Sequence, residues 1–189
     1  LGQIDSHPES DGRRTICFIG RMDQMKHPDH VLLAYLKLAS EFPELRLVFS
    51  GTGPYLNVLR RMVSVAPKEI SDRVSITYLR NREKFKLLKE SLLLVYPSVM
   101  EAFPLTTLEA LACETPFLGY DIPALKEQVQ ETGGGILVQK NNVEELTEVL
   151  RHLLSNRSKI LNLASRGRKA VEYKFTWEKT VDSLLKAIG

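Results

Sequence analysis

The chain has 189 residues, of which 43% are hydrophobic and 26% charged, and a formal net charge of +3. That is enough chain for one well-filled domain, and so slight a positive balance, with no long Lys/Arg block and no aromatic-rich basic stripe, excludes a nucleic-acid binder. No apolar run approaches a membrane span, Leu1 opens no basic-then-apolar leader, and no zinc-type Cys/His spacing occurs. A soluble cytoplasmic domain without a bound metal is the expectation.

Residues 1–12 are polar and turn-rich, which reads as a linker or the tail of something upstream. From Arg13 or Arg14 onward, strand-like and helix-like segments alternate. A strand at 15–19 precedes a helical pattern at 28–42, and one at 46–50 precedes 54–65. The pattern continues with a strand at 74–79 before a helix at 82–90, and a strand at 92–96 before a helix at 105–113. It closes with 116–120 before 124–131, and a short strand at 135–138 before 143–154. Strands rich in Val, Ile, Leu and Phe, each followed by an amphipathic helix, mean a parallel sheet covered on both faces. The expected class is therefore a doubly wound, Rossmann-like α/β domain of about six strands. Two further helical stretches follow, 158–173 and 176–188, the second with Trp177, Val181, Leu184, Leu185 and Ile188 on one side, so it must pack on something. Cys17 in a strand and Cys113 in a helix have apolar neighbours and read as small core residues, with pairing between them left open.

Two glutamates eight positions apart, Glu101 and Glu109, stand out. Glu101 follows the apolar strand that runs out into Pro97-Ser98, at the edge where open α/β sheets bind ligands. Glu109 lies in a helix starting near Pro104 or Leu105, and a 3.6-residue wheel puts it on one face with Leu105, Leu108 and Ala112. Either it borders the core and reaches water, or it accepts from the vicinal diol of a ribose or sugar with its two oxygens.

The loops after the strands are where ligand chemistry belongs. The first, residues 20–28, begins at Gly20 and carries Arg21 and Lys26, a guanidinium fork and a mobile ammonium that suit two phosphates. The second, Gly51-Thr-Gly53-Pro, lacks side chains that would keep a ligand from the backbone. No glycine completes a G-x-G-x-x-G spacing, which disfavours NAD. After Glu101 the amides of Phe103, Leu105 and Thr106 open a helix, an anion site by dipole and free N–H groups, while Pro104 donates nothing but suits the first turn. The Gly133-Gly-Gly135 run reads as a tight turn.

In this order, these motifs resemble the C-terminal domain of a GT-B retaining glycosyltransferase of family 4, the group 1 family, from about Arg14 to the C-terminus. The motifs are Gly20-Arg21 with Lys26; Gly51-x-Gly53-Pro54; Pro97-Ser98; Glu101 and Glu109 followed by Ala110-Leu-Ala-Cys; Thr115-Pro116; Asp121 with Glu127; Gly135-Ile-Leu-Val; and Phe175-Thr-Trp177. The resemblance implies that Arg21 and Lys26 bind the donor diphosphate and stabilise the leaving nucleoside diphosphate. It also implies that Glu101 contacts the donor sugar, that Glu109 holds the ribose hydroxyls, and that the amides from Phe103 to Thr106 lie at the phosphates. The donor would be a UDP- or GDP-linked sugar, with retention of anomeric configuration and no bound divalent metal or other cofactor. The implied partner is an N-terminal Rossmann-like domain absent from this chain, onto which residues 174–189 would cross from the donor domain at 14–173. Peripheral membrane association of such a full enzyme is compatible with the lack of a spanning segment.

Departures from the pattern cluster near the donor. The usual Glu-Gly-Phe-Gly stands as Glu101-Ala-Phe-Pro104, the glycine pair between Asp121 and Glu127 is Pro123-Ala124, and Arg80 replaces a glycine where the base would lie. Two other readings of the same fold are a different GT-B enzyme, such as a nucleotide-sugar epimerase or phosphorylase, and a non-catalytic nucleotide-sugar-binding module. Retention of Arg21, Lys26, Glu101 and Glu109 together argues against a decayed scaffold.

Overall fold

A computed structural model describes residues 12–176 together with 179 and 181. The strands are β1 (Thr15–Ile19), β2 (Arg46–Ser50), β3 (Val74–Thr77), β4 (Ser91–Tyr96), β5 (Phe117–Tyr120) and β6 (Gly135–Val138). The helices are α1 (Pro28–Leu38), α2 (Leu56–Ser64), α3 (Lys68–Ser71), α4 (Asn81–Glu90), α5 (Leu105–Ala112), α6 (Pro123–Thr132), α7 (Val143–Leu154) and α8 (Arg157–Lys174). All pairings are parallel and the strand order is β3-β2-β1-β4-β5-β6, the doubly wound order that reverses between β1 and β4.

Helices cover both faces of the sheet. On one face α1 packs on α7 and α2 over a core containing Phe18, Phe49, Leu93, Val95 and Tyr120. On the other, α4, α5 and α6 enclose Cys17, Leu94, Tyr96, Leu111 and Phe117, and α8 packs across α5 and α6. Covered on both sides, β4 is buried at all six positions, which is why it reads as an unbroken apolar run rather than an alternation. The edge strand β3 is only half-buried and exposes Ser75.

The glycine run at 133–135 does more than turn the chain. Gly133 ends α6 in the left-handed region at φ 61° and donates to Val129 O at 2.8 Å. A Cβ on Gly134 would lie 2.7 Å from the Cα of Gly167, so the pair lets α8 cross directly over the start of β6.

Most element ends fall within a few residues of expectation, and the exceptions have local causes. Helix α1 stops at Leu38 instead of running to residue 42, because Phe42 precedes Pro43, which disfavours helical backbone there. Strand β3 ends at Thr77 because its partner β2 ends at Ser50, whose hydroxyl then accepts from the Leu79 amide at 3.1 Å. Helix α2 begins at Leu56 instead of Pro54, since Tyr55 N is held by Met22 O at 2.8 Å. The four-residue α3 is too short for any periodic signal. The expected helix at 176–188 and the linker at 1–12 lie outside the described residues, apart from Gly12, Thr176, Lys179 and Val181.

Both cysteines are free and buried, and burial pushes their thiols up to about 12 at Cys17 and about 11 at Cys113. Since the thiolate is the reactive form, the folded chain should resist alkylation near pH 8 and react at both positions once unfolded. Mass spectrometry after a brief iodoacetamide pulse checks this, and fast native labelling would contradict the packing.

Candidate functional site

The loops leaving the carboxyl ends of β1, β2 and β4 are joined by backbone hydrogen bonds. Gly20 N donates to Ser50 O at 3.0 Å, Met22 N to Thr52 O at 2.9 Å, and Tyr55 N returns to Met22 O at 2.8 Å. A Cβ on Gly51 would sit 1.8 Å from Gly20 O, and one on Gly53, at φ 153°, would sit 2.3 Å from Met22 O. The space left by those two missing side chains is therefore filled by the neighbouring loop, a correction to the expectation that it lets a ligand approach. Gly20 itself meets nothing closer than the Phe18 ring at 3.6 Å.

Within the first loop, Asp23 acts as an internal cap. Its Oδ1 accepts from the amides of Met25 at 3.0 Å and Lys26 at 3.2 Å, while Oδ2 pairs with Arg21 Nε at 3.0 Å. The Arg21 side chain is nevertheless 73% exposed. Met25 O then accepts from Val99 N at 2.9 Å, and the buried Ser98 hydroxyl lies 3.3 Å from the same carbonyl and 3.1 Å from Met100 O. This clasp brings the β4–α5 loop against the first one.

The result is a compact charged group. Lys26 Nζ forms an ion pair with Glu101 Oε1, the two side chains being 19% and 11% exposed. Tyr96 OH donates to the same oxygen at 2.6 Å, and the ammonium stands 5.7 Å from the Tyr96 ring centroid. Burial, then the bond to Glu101, raises the Tyr96 pKa, so the phenol stays a protonated donor. Among the described residues, Glu101 Oε2 has no such partner.

Glu109 is held elsewhere, by Lys84 Nζ of α4 at 2.6 Å, with both side chains roughly three-quarters buried. The wheel prediction for α5 is corrected. Its buried stripe is Thr107, Leu108, Ala110 and Leu111, whereas Leu105 is 62% exposed. Glu109 sits on the flank of that stripe because α5 packs through it against α4 and α8.

Pro104 occupies the position just before α5, not the first helical turn. Its carbonyl accepts from Thr107 Oγ1 at 2.7 Å and Gln128 Nε2 at 3.1 Å, which pins the helix start from α6. Phe103 is 55% exposed beside it. Arg80 ends the β3–α4 loop with its guanidinium 4.7 Å over the Tyr78 ring. Asp121, after β5, pairs loosely with Lys126 at 3.4 Å.

Sequence reasoning missed four residues here: Asp23, Lys84, Tyr96 and Gln128. Only Asp23 left a local trace, since an Asp two or three residues ahead of the amides it accepts from is an Asx-turn pattern. The others act across 5, 24 and 25 positions of chain and become visible only when the sheet is assembled.

Residues 3–170 match the family described as glycosyl transferases group 1. The chain belongs to that family. D-inositol 3-phosphate glycosyltransferase of Rhodococcus erythropolis is 30% identical over 184 residues, covering 93% of this chain and 41% of that protein. The chain thus spans about two fifths of the length of the curated relatives it matches.

Among solved structures, an S. aureus TarM variant in complex with fondaparinux, alpha-GlcNAc-glycerol and UDP superposes with a TM-score of 0.81 at 19% identity, over 92% of this chain and 35% of that one. The C-terminal domain of the group 1 glycosyl transferase LpcC from Francisella tularensis superposes at 0.76 with 20% identity, over 88% of each chain. These likenesses place this group 1 chain in the Rossmann-like half of the GT-B fold.

Two substitutions test the architecture of this group 1 site. Gly51→Ala should destabilise the domain by about 2–3 kcal/mol, because its methyl can be admitted only by parting the first two loops. Tyr96→Phe should cost about 1.5–3 kcal/mol, the range for a hydrogen bond to a charged group, and leave unfolding cooperative. Urea denaturation checks both, and an unchanged midpoint for Gly51→Ala would mean that the loops are not in contact.

Proposed function

We propose that this domain is the donor-binding half of a retaining glycosyltransferase. In this reading a nucleotide-diphosphate sugar, UDP- or GDP-linked, lies along the carboxyl edge of the sheet, and its sugar passes to an acceptor once the N-terminal domain closes the cleft. The observation that carries the reading is the group Lys26, Glu101 and Tyr96, next to the start of α5. The UDP present with the TarM variant supports the ligand class.

Each charge then has work to do. Lys26 and the exposed Arg21 neutralise the diphosphate and the charge that grows on the leaving group, with the amides of Phe103, Leu105 and Thr106 at the helix N-terminus. As Lys26 turns toward phosphate, Glu101 accepts sugar hydroxyls while Tyr96 keeps its carboxylate in place. Glu109 takes the ribose diol, and Lys84 holds that side chain at the flank of α5. Arg80 on Tyr78 borders the base, and Gly20, Gly51 and Gly53 preserve the loop shape. The free thiols support a cytoplasmic setting. Residues 14–173 make up the donor domain.

Isothermal titration or NMR titration with nucleoside diphosphates tests the proposal. Binding should be micromolar to millimolar, about 4–8 kcal/mol, because half a cleft leaves the ligand partly solvated. Arg21→Ala and Lys26→Ala should each cost about 1.5–3 kcal/mol with the diphosphate and little with the nucleoside. The loss should be larger at Lys26, whose removal also leaves Glu101 uncompensated beside phosphate. Equal losses for ligands with and without phosphate would refute the assignment.

A double-mutant cycle probes Glu109. Glu109→Gln turns one acceptor oxygen into a donor, so it should weaken a ribonucleotide more than the 2′-deoxy form. Glu101→Gln should weaken only the nucleotide sugar. Identical ribo and deoxy penalties at Glu109 would assign the carboxylate to another partner.

A further inference from the structure

His27, Asp29 and His30 form a second polar cluster, which the donor reading does not use. His27 precedes α1 in the left-handed region, at φ 45° and ψ 54°, and so turns its ring back over the first helical turn. The His27 and His30 rings are stacked, with centroids 4.0 Å apart and planes 9° from parallel. Between them Asp29 presents Oδ1 at 3.6 Å from His27 Nδ1 and Oδ2 at 3.9 Å from His30 Nε2. Both separations are too long for hydrogen bonds.

Two atoms of the cluster are unaccounted for. His27 Nδ1 and Asp29 Oδ1 are shielded from solvent and have no hydrogen-bond partner. Buried polar atoms of this kind call for an explanation, and a strained backbone at the same residue adds to the need. Among the described residues nothing closer satisfies them, since Lys26 is engaged with Glu101 and the Tyr120 hydroxyl with His30 Nδ1 at 2.6 Å.

We propose that His27, Asp29 and His30 form a binding site for a divalent transition metal of zinc type, at the start of α1 and independent of the donor site. Two imidazoles with one carboxylate are a zinc donor set, not a magnesium or calcium one. One donor atom from each residue lies within 4.8 Å of the others. A tetrahedral ion with bonds of about 2.0–2.1 Å holds its ligand atoms about 3.3–3.4 Å apart, so the donor atoms, now within 4.8 Å of one another and facing the two different oxygens of Asp29, must draw together by up to about 1.5 Å to share one ion. The near-parallel rings must tilt apart for both lone pairs to meet one ion, a rotation about the soft terminal torsion of each side chain.

The surroundings suit such an ion. The buried Tyr120 phenol can accept from His30 Nδ1–H at 2.6 Å, which fixes the tautomer that leaves Nε2 free to ligate. With three protein ligands, one position stays open to water or another oxygen. The bound ion would join the end of the loop that carries Lys26 to the first turn of α1, with Tyr120 of β5 hydrogen-bonded behind it.

Titration of the tag-free chain with Zn²⁺ and Co²⁺ tests the site. The expected result is one ion per chain, tetrahedral-type visible bands for Co²⁺ that Zn²⁺ displaces, and no competition from Mg²⁺. Tyr120→Phe should weaken Zn²⁺ by about tenfold, as loss of an outer-shell partner does, and Asp29→Asn or His30→Gln by more than about a hundredfold. In the unmodified chain, Zn²⁺ should shift the ring resonances of His27 and His30 and leave those of His152 in place, a readout that needs no variant to fold. Unchanged Zn²⁺ affinity in Asp29→Asn and His30→Gln, or shifts confined to histidines other than these two, would overturn the proposal.

Discussion

The site rests on a backbone contact between two loops. Gly20 and Gly51 touch so closely that no side chain fits between them, and the Met22 backbone locks the second loop by donating to Thr52 and accepting from Tyr55. Met25 then extends the same brace to Val99 and Ser98 on the loop after β4. Three loops from three strands are thereby bonded to one another at the point where the strand order reverses. Charged side chains on separate loops would otherwise lose their mutual geometry to loop freedom, and a misplacement of about 1 Å is costly in a site of this kind.

Held in that frame, the site's cations are mostly already matched by carboxylates. Arg21 faces Asp23, Lys26 faces Glu101, and Lys84 faces Glu109. A ligand with two phosphates must therefore exchange partners and not simply occupy bare charge. The exchange is cheapest at Arg21, which is largely solvated, and dearest at Lys26, whose pair is mostly buried. A carboxylate released from its lysine becomes a strong acceptor, so the arriving phosphate and the hydroxyls that replace the lysine are coupled. Under the proposed donor reading, selectivity for a molecule carrying both groups would follow from this coupling more than from either contact alone.

How far the chain was legible depends on the range of each interaction. The alternation of buried strands with amphipathic helices declared the parallel sheet, because apolar periodicity is a local property. The positions of Gly20, Gly51, Lys26 and Glu101 at one sheet edge followed from topology. What stayed hidden was pairing over distance: Tyr96 and Lys26 converging on Glu101, Lys84 on Glu109, and Gln128 on Pro104. The face of α5 was misjudged for the same reason. Leu105 is apolar and fits the wheel, yet it is exposed, because α4 and α8 press on the stripe centred at Thr107 and Leu111. Likewise the glycines of the second loop announced a close approach without revealing that another loop makes it.

Pro104 illustrates how the fold absorbs a departure from the group 1 pattern. A glycine there would leave one more amide for an anion but would also loosen the approach to α5. Proline gives up that donor and restricts the backbone before the helix. Its carbonyl also accepts from Thr107 Oγ1 and from Gln128 Nε2 of α6. The amides of Leu105 and Thr106 are thereby aimed by a hydrogen bond from a different helix. A donor is lost and orientation is gained, and under the proposed reading the remaining dipoles would meet an anion already aimed.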